Sequence, residues 1–162
     1  MRARARGAFH LSFLCAALAA TGCFGGAAPP VAPAAGPMPS EAEIAAFSTR
    51  IEKFYKTLEG IPLDALVTYE NPDLRACFGS NSAFSDYFSA LATAAREAKF
   101  RDSMARTVRI REFHFDGPES AIVEVEFRSV HQRALRFWSI GFDRYDEWAL
   151  KDGVWQIVPA KL

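Results

Sequence analysis

Two hydrophobic periods divide residues 40–162. In the first half, Ile44, Phe47, Ile51, Phe54, Tyr55 and Leu58 recur every three or four residues, which puts them on one helix face. Ser40-Glu41-Ala42-Glu43 in front of them has the form of a capping box, with Ser40 as cap and Glu43 reaching back. Gly60 and Pro62 end that helix. Pro62 then opens a short second helix carrying Leu63, Leu66 and Val67, which Asn71-Pro72 breaks. Leu74 to Phe78 is too short to assign and fits either a small strand or a turn of helix. After a turn at Gly79 to Ser82, a third helix presents Phe84, Tyr87, Phe88, Leu91, Ala94, Ala95 and Ala98, with Asp86 suited to its N-terminal part.

From Thr107 the period falls to two. Val108 and Ile110 share one parity and Phe113 and Phe115 the other, which predicts a bulge near Arg111-Glu112. Asp116-Gly117-Pro118-Glu119 is a turn. Ala121, Val123, Val125 and Phe127 then alternate with Glu124, Glu126 and Arg128, the pattern of a half-exposed antiparallel strand. His131 to Ala134 turns the chain again. Leu135 to Leu150 is a long strand with apolar residues on both parities, so either both faces are covered or Gly141 marks a bend. Lys151-Asp152-Gly153 is a tight hairpin turn, and Val154 to Val158 closes the sheet. Helices followed by antiparallel strands make an α+β domain of about four strands packed on three N-terminal helices.

The first 39 residues follow neither period. Arg2, Arg4 and Arg6 precede an apolar stretch from Ala8 to Ala20, too short to span a bilayer as a helix and fitting the core of an export signal. Leu18-Ala19-Ala20-Thr21-Gly22-Cys23 resembles the lipobox of bacterial lipoproteins, with Ala20 where that family most often has leucine. The resemblance implies that residues 1–22 are removed and that Cys23 is lipidated. It also implies that the protein is held at the cell envelope, at the outer membrane facing the periplasm since Phe24 and not Asp follows the anchor. Cleavage near Ala17-Leu18-Ala19, which would release a soluble protein, is the other reading. Residues 24–39 are rich in Ala, Gly and Pro and carry no charge, as a tether does. Sixteen residues reach about 22 Å as a flexible coil and about 50 Å as polyproline II. Residues 40–162 form the domain.

Charge and cysteines refine this. The whole chain has 19 Lys+Arg and 19 Asp+Glu; without residues 1–22, three arginines fewer leave a mildly acidic body. That argues against nucleic-acid binding by bulk positive charge. Two acyl chains hold such a body without help from anionic lipid. Of the three cysteines, Cys15 lies in the signal core and Cys23 at the anchor, which leaves Cys77 as a small buried hydrophobe without a disulfide partner.

The order of helices and strands, with the ending Trp148-Ala149-Leu150-Lys151-Asp152-Gly153-Val154-Trp155-Gln156-Ile157, resembles the nuclear-transport-factor-2-like (cystatin-like α+β) superfamily. That resemblance implies a curved sheet closing a cone over the helices, with a pocket between them. The superfamily includes isomerases, dehydratases, cyclases and non-catalytic binding domains, so the site must decide.

Proton transfer in such a pocket needs a carboxylate or a histidine in apolar surroundings. Asp146 shares the parity of Phe142 and Trp148, as does Arg144, and is either a pocket base or half of an ordinary ion pair. His114 and Asp116, two apart on one strand, are either a base and its partner or exposed residues leading into a turn. His131 sits in a polar turn. No spacing suggests a metal site, a phosphate loop or a serine triad, so neither metal nor cofactor is expected. Trp138, Phe142, Trp148 and Trp155 exceed what one sheet face needs and predict a ligand pocket or a dimer surface. Arg128, Arg133, Arg136 and Arg144 form either a basic rim or a solvated face balanced by Glu124, Glu126 and Asp143. The reading that results is a membrane-anchored protein whose domain binds a small apolar ligand or an envelope protein, with a homodimer through the sheet as a further possibility. The alternative is a small isomerase or dehydratase with Asp146 or His114 as base.

Overall fold

The structure, a computed structural model, describes residues 38–133 and 138–159. The signal, the anchor Cys23, the tether up to residue 37, and Leu135, Arg136 and Phe137 lie outside the described residues. The elements run α1 (Glu41–Thr57), α2 (Leu66–Glu70), α3 (Pro72–Arg75), α4 (Asn81–Glu97), a 3₁₀ turn (Arg101–Ser103), β1 (Thr107–Gly117), β2 (Ser120–Val130), β3 (Ser139–Lys151) and β4 (Val154–Val158). The strands form one open antiparallel sheet in the order β1-β2-β3-β4. The domain is α+β, and its described residues form four α-helices, one more than the periodicity predicts.

The second helix starts later than the pattern predicts, and the extra helix follows directly after it. Pro62 does not start a helix: it bridges to Met104, while the Leu63 N–H donates to the Ser103 carbonyl. Helix α2 therefore begins only at Leu66, and Leu66 and Val67 stand exposed while Leu63 is buried. Asn71 then caps α3, its side-chain oxygen accepting from the Asp73 and Leu74 N–H groups, with Pro72 at the first helical position. The stretch from Leu74 to Phe78 is both things at once. Pro72–Arg75 is helical, and Phe78 makes a parallel bridge to Ile157 on the free side of β4.

Other local signals map directly. Ser40 and Glu43 form the reciprocal capping box of α1. The register of β1 on β2 jumps between Ile110 and Glu112, so Arg111 is the extra residue and Phe113 and Phe115 join Val108 and Ile110 on the inner face. Asp152 (φ 51°) and Gly153 (φ 75°) make the β3–β4 turn with two left-handed residues, as a two-residue hairpin requires. Gly141 marks no bend in register, because β3 pairs with β2 without a break from Ser139 to Ala149. A Cβ there would sit 2.6 Å from the Phe127 carbonyl oxygen, so glycine lets the two backbones close.

One layer of side chains joins sheet and helices. Phe47, Ile51 and Phe54 from α1, its C-cap Leu58, and Phe84, Phe88 and Leu91 from α4 meet Val123, Val125, Phe127 and Trp148 from the sheet. Phe47 is the hub, with Phe113, Phe115, Trp148 and Trp155 rings within 4.7–5.9 Å of its own. Arg50 ties this layer to its margin, donating to the Trp155 carbonyl at 2.7 Å and the Ala76 carbonyl at 2.8 Å. On the opposite face of the sheet Glu126 is buried, although alternation predicts it exposed: Arg111 and Arg128 both close over its carboxylate.

Candidate functional site

Asp146 faces inward from β3 and is only 2% exposed. A bare buried carboxylate is costly, so its partners decide what it does. Oδ2 accepts from the Tyr55 hydroxyl of α1 at 2.8 Å and the Tyr87 hydroxyl of α4 at 2.7 Å. Oδ1 accepts from Arg144 Nε at 2.5 Å. Trp148 Nε1 donates to the Tyr55 oxygen at 3.3 Å, and the Arg144 guanidinium lies over the Tyr87 ring at 4.3 Å. Both helices are thereby fastened to one strand through one carboxylate. Burial, followed by the Asp146 charge, pushes both tyrosine hydroxyls well above their ordinary values, so each stays a neutral donor. Among the described residues no buried side-chain nitrogen or oxygen lacks a partner.

Sequence parity places Asp146, Arg144 and Trp148 on one face, and the structure brings them together. It adds Tyr55 and Tyr87, which the helical pattern counts only as apolar. The signal was present: a buried tyrosine in a stripe of Phe, Leu and Ile needs an acceptor for its hydroxyl.

The other predicted residues go elsewhere. His114 and Asp116 are exposed on the outer face of β1, away from the core. Phe142 stacks on Phe127 at 5.0 Å and packs against Phe100 at 5.3 Å. Trp148 and Trp155 are core residues, and Trp138 is 57% exposed with its ring 6.4 Å from that of His131. The four aromatics therefore do not gather into one cluster. Of the arginines, Arg144 is committed to Asp146 and Arg128 to Glu126, on opposite faces, and Arg136 lies outside the described residues. Cys77 is buried, and that burial raises its thiol pKa, as suits a packing residue.

A groove lies between α1 and the edge strand β1. Its volume is about 540 Å³, within the range of small-molecule sites. Ile51, Tyr55, Val108, Ile110 and Phe113 supply its apolar lining. Ser48, Glu52, Lys56, Glu59 and Arg109 supply its polar lining. Glu59 is held in place twice, by Lys56 and by the Val108 N–H, which donates to Oε1 at 3.1 Å. These bonds, the one from Lys56 first, keep its carboxyl below the usual glutamate range. The bulge at Arg111 shapes this wall, because it returns Phe113 to the side of Ile110. The groove suits a molecule with an apolar body and a polar end. Among the described residues no group of three or more His, Cys, Asp or Glu side chains is placed to hold a metal ion, and no helix is long and apolar enough to cross a membrane. Set against protein-family models, curated proteins and solved structures, the chain matches none of them, and the functional reading rests on this geometry and on the sequence.

Proposed function

We propose that the chain is a lipid-anchored protein of the bacterial envelope whose domain, of the cone-shaped nuclear-transport-factor-2-like kind, binds a small apolar ligand without transforming it. The observation that carries the binding reading is the groove between α1 and β1, with an apolar lining and polar side chains beside it. The space between sheet and helices is filled by aromatic rings, so the ligand lies at the flank of the core. The anchor rests on Leu18 to Cys23 and the basic, apolar leader before it.

The enzyme alternative has weaker support. Both oxygens of Asp146 are occupied and the carboxylate is closed off from solvent, while His114 stands on the outer face. A general base must reach the proton it removes.

Anilinonaphthalene sulfonate, an apolar dye with one charged end, tests the groove. The native protein is expected to enhance its fluorescence through a single class of site, and Ile110→Asp is expected to abolish this while leaving the unfolding midpoint measurable. Undiminished binding by the variant, or no binding by the native protein, overturns the groove. Cys23→Ala tests the anchor: membrane partitioning that persists unchanged after a high-salt wash refutes it.

A further inference from the structure

We propose that the end of the domain farthest from its point of entry is a docking surface for an anionic lipid bilayer. Three connections meet there. The Leu63 N–H donates to the Ser103 carbonyl, and Asp64 lies 3.8 Å from Arg96. The Gln132 N–H donates to the Lys99 carbonyl, and Arg101 donates to the His131 carbonyl. The Arg106 N–H donates to the Arg128 carbonyl. The approach to α2, the link from α4 to β1, and the end of β2 thus form one continuous surface.

Its chemistry is cationic and apolar together. Lys99, Arg101, Arg106 and Arg133 lie on it, beyond the arginines already paired with Asp64 and Glu126. Exposed acids stand among them, Glu97 and Asp102 on the α4–β1 side and Glu70 one turn from Leu66 on α2, and the four cations outnumber these three. Leu66 (71% exposed), Val67 (60%) and Trp138 (57%) are among the most exposed large apolar side chains described. Cations that attract anionic headgroups, beside aliphatic and tryptophan side chains that enter the interface, are what a bilayer surface selects. A hydrophilic polyanion would use the cations and leave the apolar groups without a role.

Two further observations orient the surface. The chain enters at Pro39, where the lining of a small cavity includes Glu43, Pro118 and Gly153, and Glu41, Glu119 and Asp152 follow or adjoin these residues. Negative charge thus collects at the entry end, so a body that is acidic in sum still presents a basic end. Helix α1 is about 25 Å long, shorter than the reach of about 50 Å expected of residues 24–39 when extended. A chain anchored at Cys23 has the length to bring either end to the bilayer. The second observation is backbone strain. Lys99, Asp102 and Ser103 all hold positive φ (62°, 57° and 49°) without being glycine. Lys99 occupies the left-handed position that ends α4, where glycine is usual. A lysine is kept at a conformational cost where its charge belongs to this surface.

The test uses the full chain with Cys23→Ala, so that no acyl chain contributes and all variants share one N-terminus; the basic leader attracts anionic vesicles equally in each, so the difference between variants carries the test. Co-sedimentation compares vesicles of phosphatidylethanolamine with phosphatidylglycerol against vesicles of phosphatidylcholine alone. Preferential, salt-sensitive binding to the anionic vesicles is expected. Lys99→Gly with Arg133→Gln should weaken it about 25-fold, at about fivefold per charge. Lys99→Gly relieves the strained φ, so lost binding cannot be laid to unfolding. Tryptophan emission should shift to the blue on the anionic vesicles, and Trp138→Phe should remove the shift, since Trp148 and Trp155 are buried. Equal binding to both vesicle types, or binding indifferent to the charge variant, overturns the proposal. Retention by an anionic polysaccharide with no emission shift on vesicles overturns it in favour of a polymer. None of these outcomes bears on dye binding in the α1–β1 groove, and high salt, which releases this contact and leaves an acyl anchor in place, keeps them apart from the anchor test.

Discussion

Replacing Asp146 by alanine separates a structural carboxylate from a catalytic one. The side chain accepts three hydrogen bonds, two from buried tyrosines and one from a guanidinium. Its removal leaves both hydroxyls without an acceptor and Arg144, 17% exposed, without its counter-charge. Removing one partner of a buried ion pair costs about 3–5 kcal/mol, and an unmet buried donor about 1–3 kcal/mol. These costs overlap because the groups share one network. We expect about 4 kcal/mol in all, a large part of the 5–15 kcal/mol typical of a domain. With a urea slope of about 2 kcal/mol/M, the midpoint falls by about 2 M. Tyr87→Phe should cost about 1.5–3 kcal/mol, the value of a hydrogen bond to a charged group. Tyr55→Phe should cost more than Tyr87→Phe, because Trp148 Nε1 also loses its acceptor. Equilibrium unfolding in urea, followed by the buried tryptophans, reads all three. A cost below about 1 kcal/mol for Asp146→Ala, the size of a surface change, would refute the network. A gain in stability would reverse the functional reading, because a carboxylate held against the interest of the fold is the mark of an active site.

Three further outcomes follow from the same structure. Gly141→Ala should destabilise by about 1–3 kcal/mol, since its Cβ would meet the Phe127 carbonyl oxygen at 2.6 Å; a neutral result in urea unfolding would mean that β2 and β3 part freely. Lys99→Gly should raise stability by about 0.5–1 kcal/mol, the cost of a left-handed lysine less the extra unfolded-state freedom of glycine; thermal unfolding that shows a loss refutes this. Tyr55 and Tyr87 have pKa values above those of the unfolded chain, so their contribution is complete below the ordinary tyrosine value of about 10 and is lost as pH rises beyond it. Alkaline titration should therefore show their ionisation only together with unfolding; tyrosinate absorbance from these two in the folded protein, assigned through Tyr55→Phe and Tyr87→Phe, would contradict the buried network.

Sequence and tertiary structure decided different things. The α1 capping box, the bulge at Arg111, the Asp152-Gly153 turn and the inner faces of α1, α4 and β2 follow from residues close in the chain, and all were legible there. Such features depend on backbone dihedrals and on side-chain period, which neighbouring residues set. The start of the second helix is not legible in the sequence because Pro62 carries two meanings, a helix start or a stop against another segment, and the distant Met104 selects the second. Glu126 read as exposed because alternation cannot see that Arg111 and Arg128 fold over it.

The candidate sites divide in the same way. Parity alone turned Asp146 inward beside Arg144 and Trp148. Whether it met a substrate or a set of partners depended on Tyr55 and Tyr87, 91 and 59 residues away in the chain. The groove of α1 and β1 has walls from two segments with no common local pattern, and the cationic end joins three connections that only backbone pairing brings together. Local sequence set the period, the caps and the turns because these are short-range steric choices. The partners of a buried charge and the linings of a groove are set by which distant segments meet, and that is decided by packing the whole core at once.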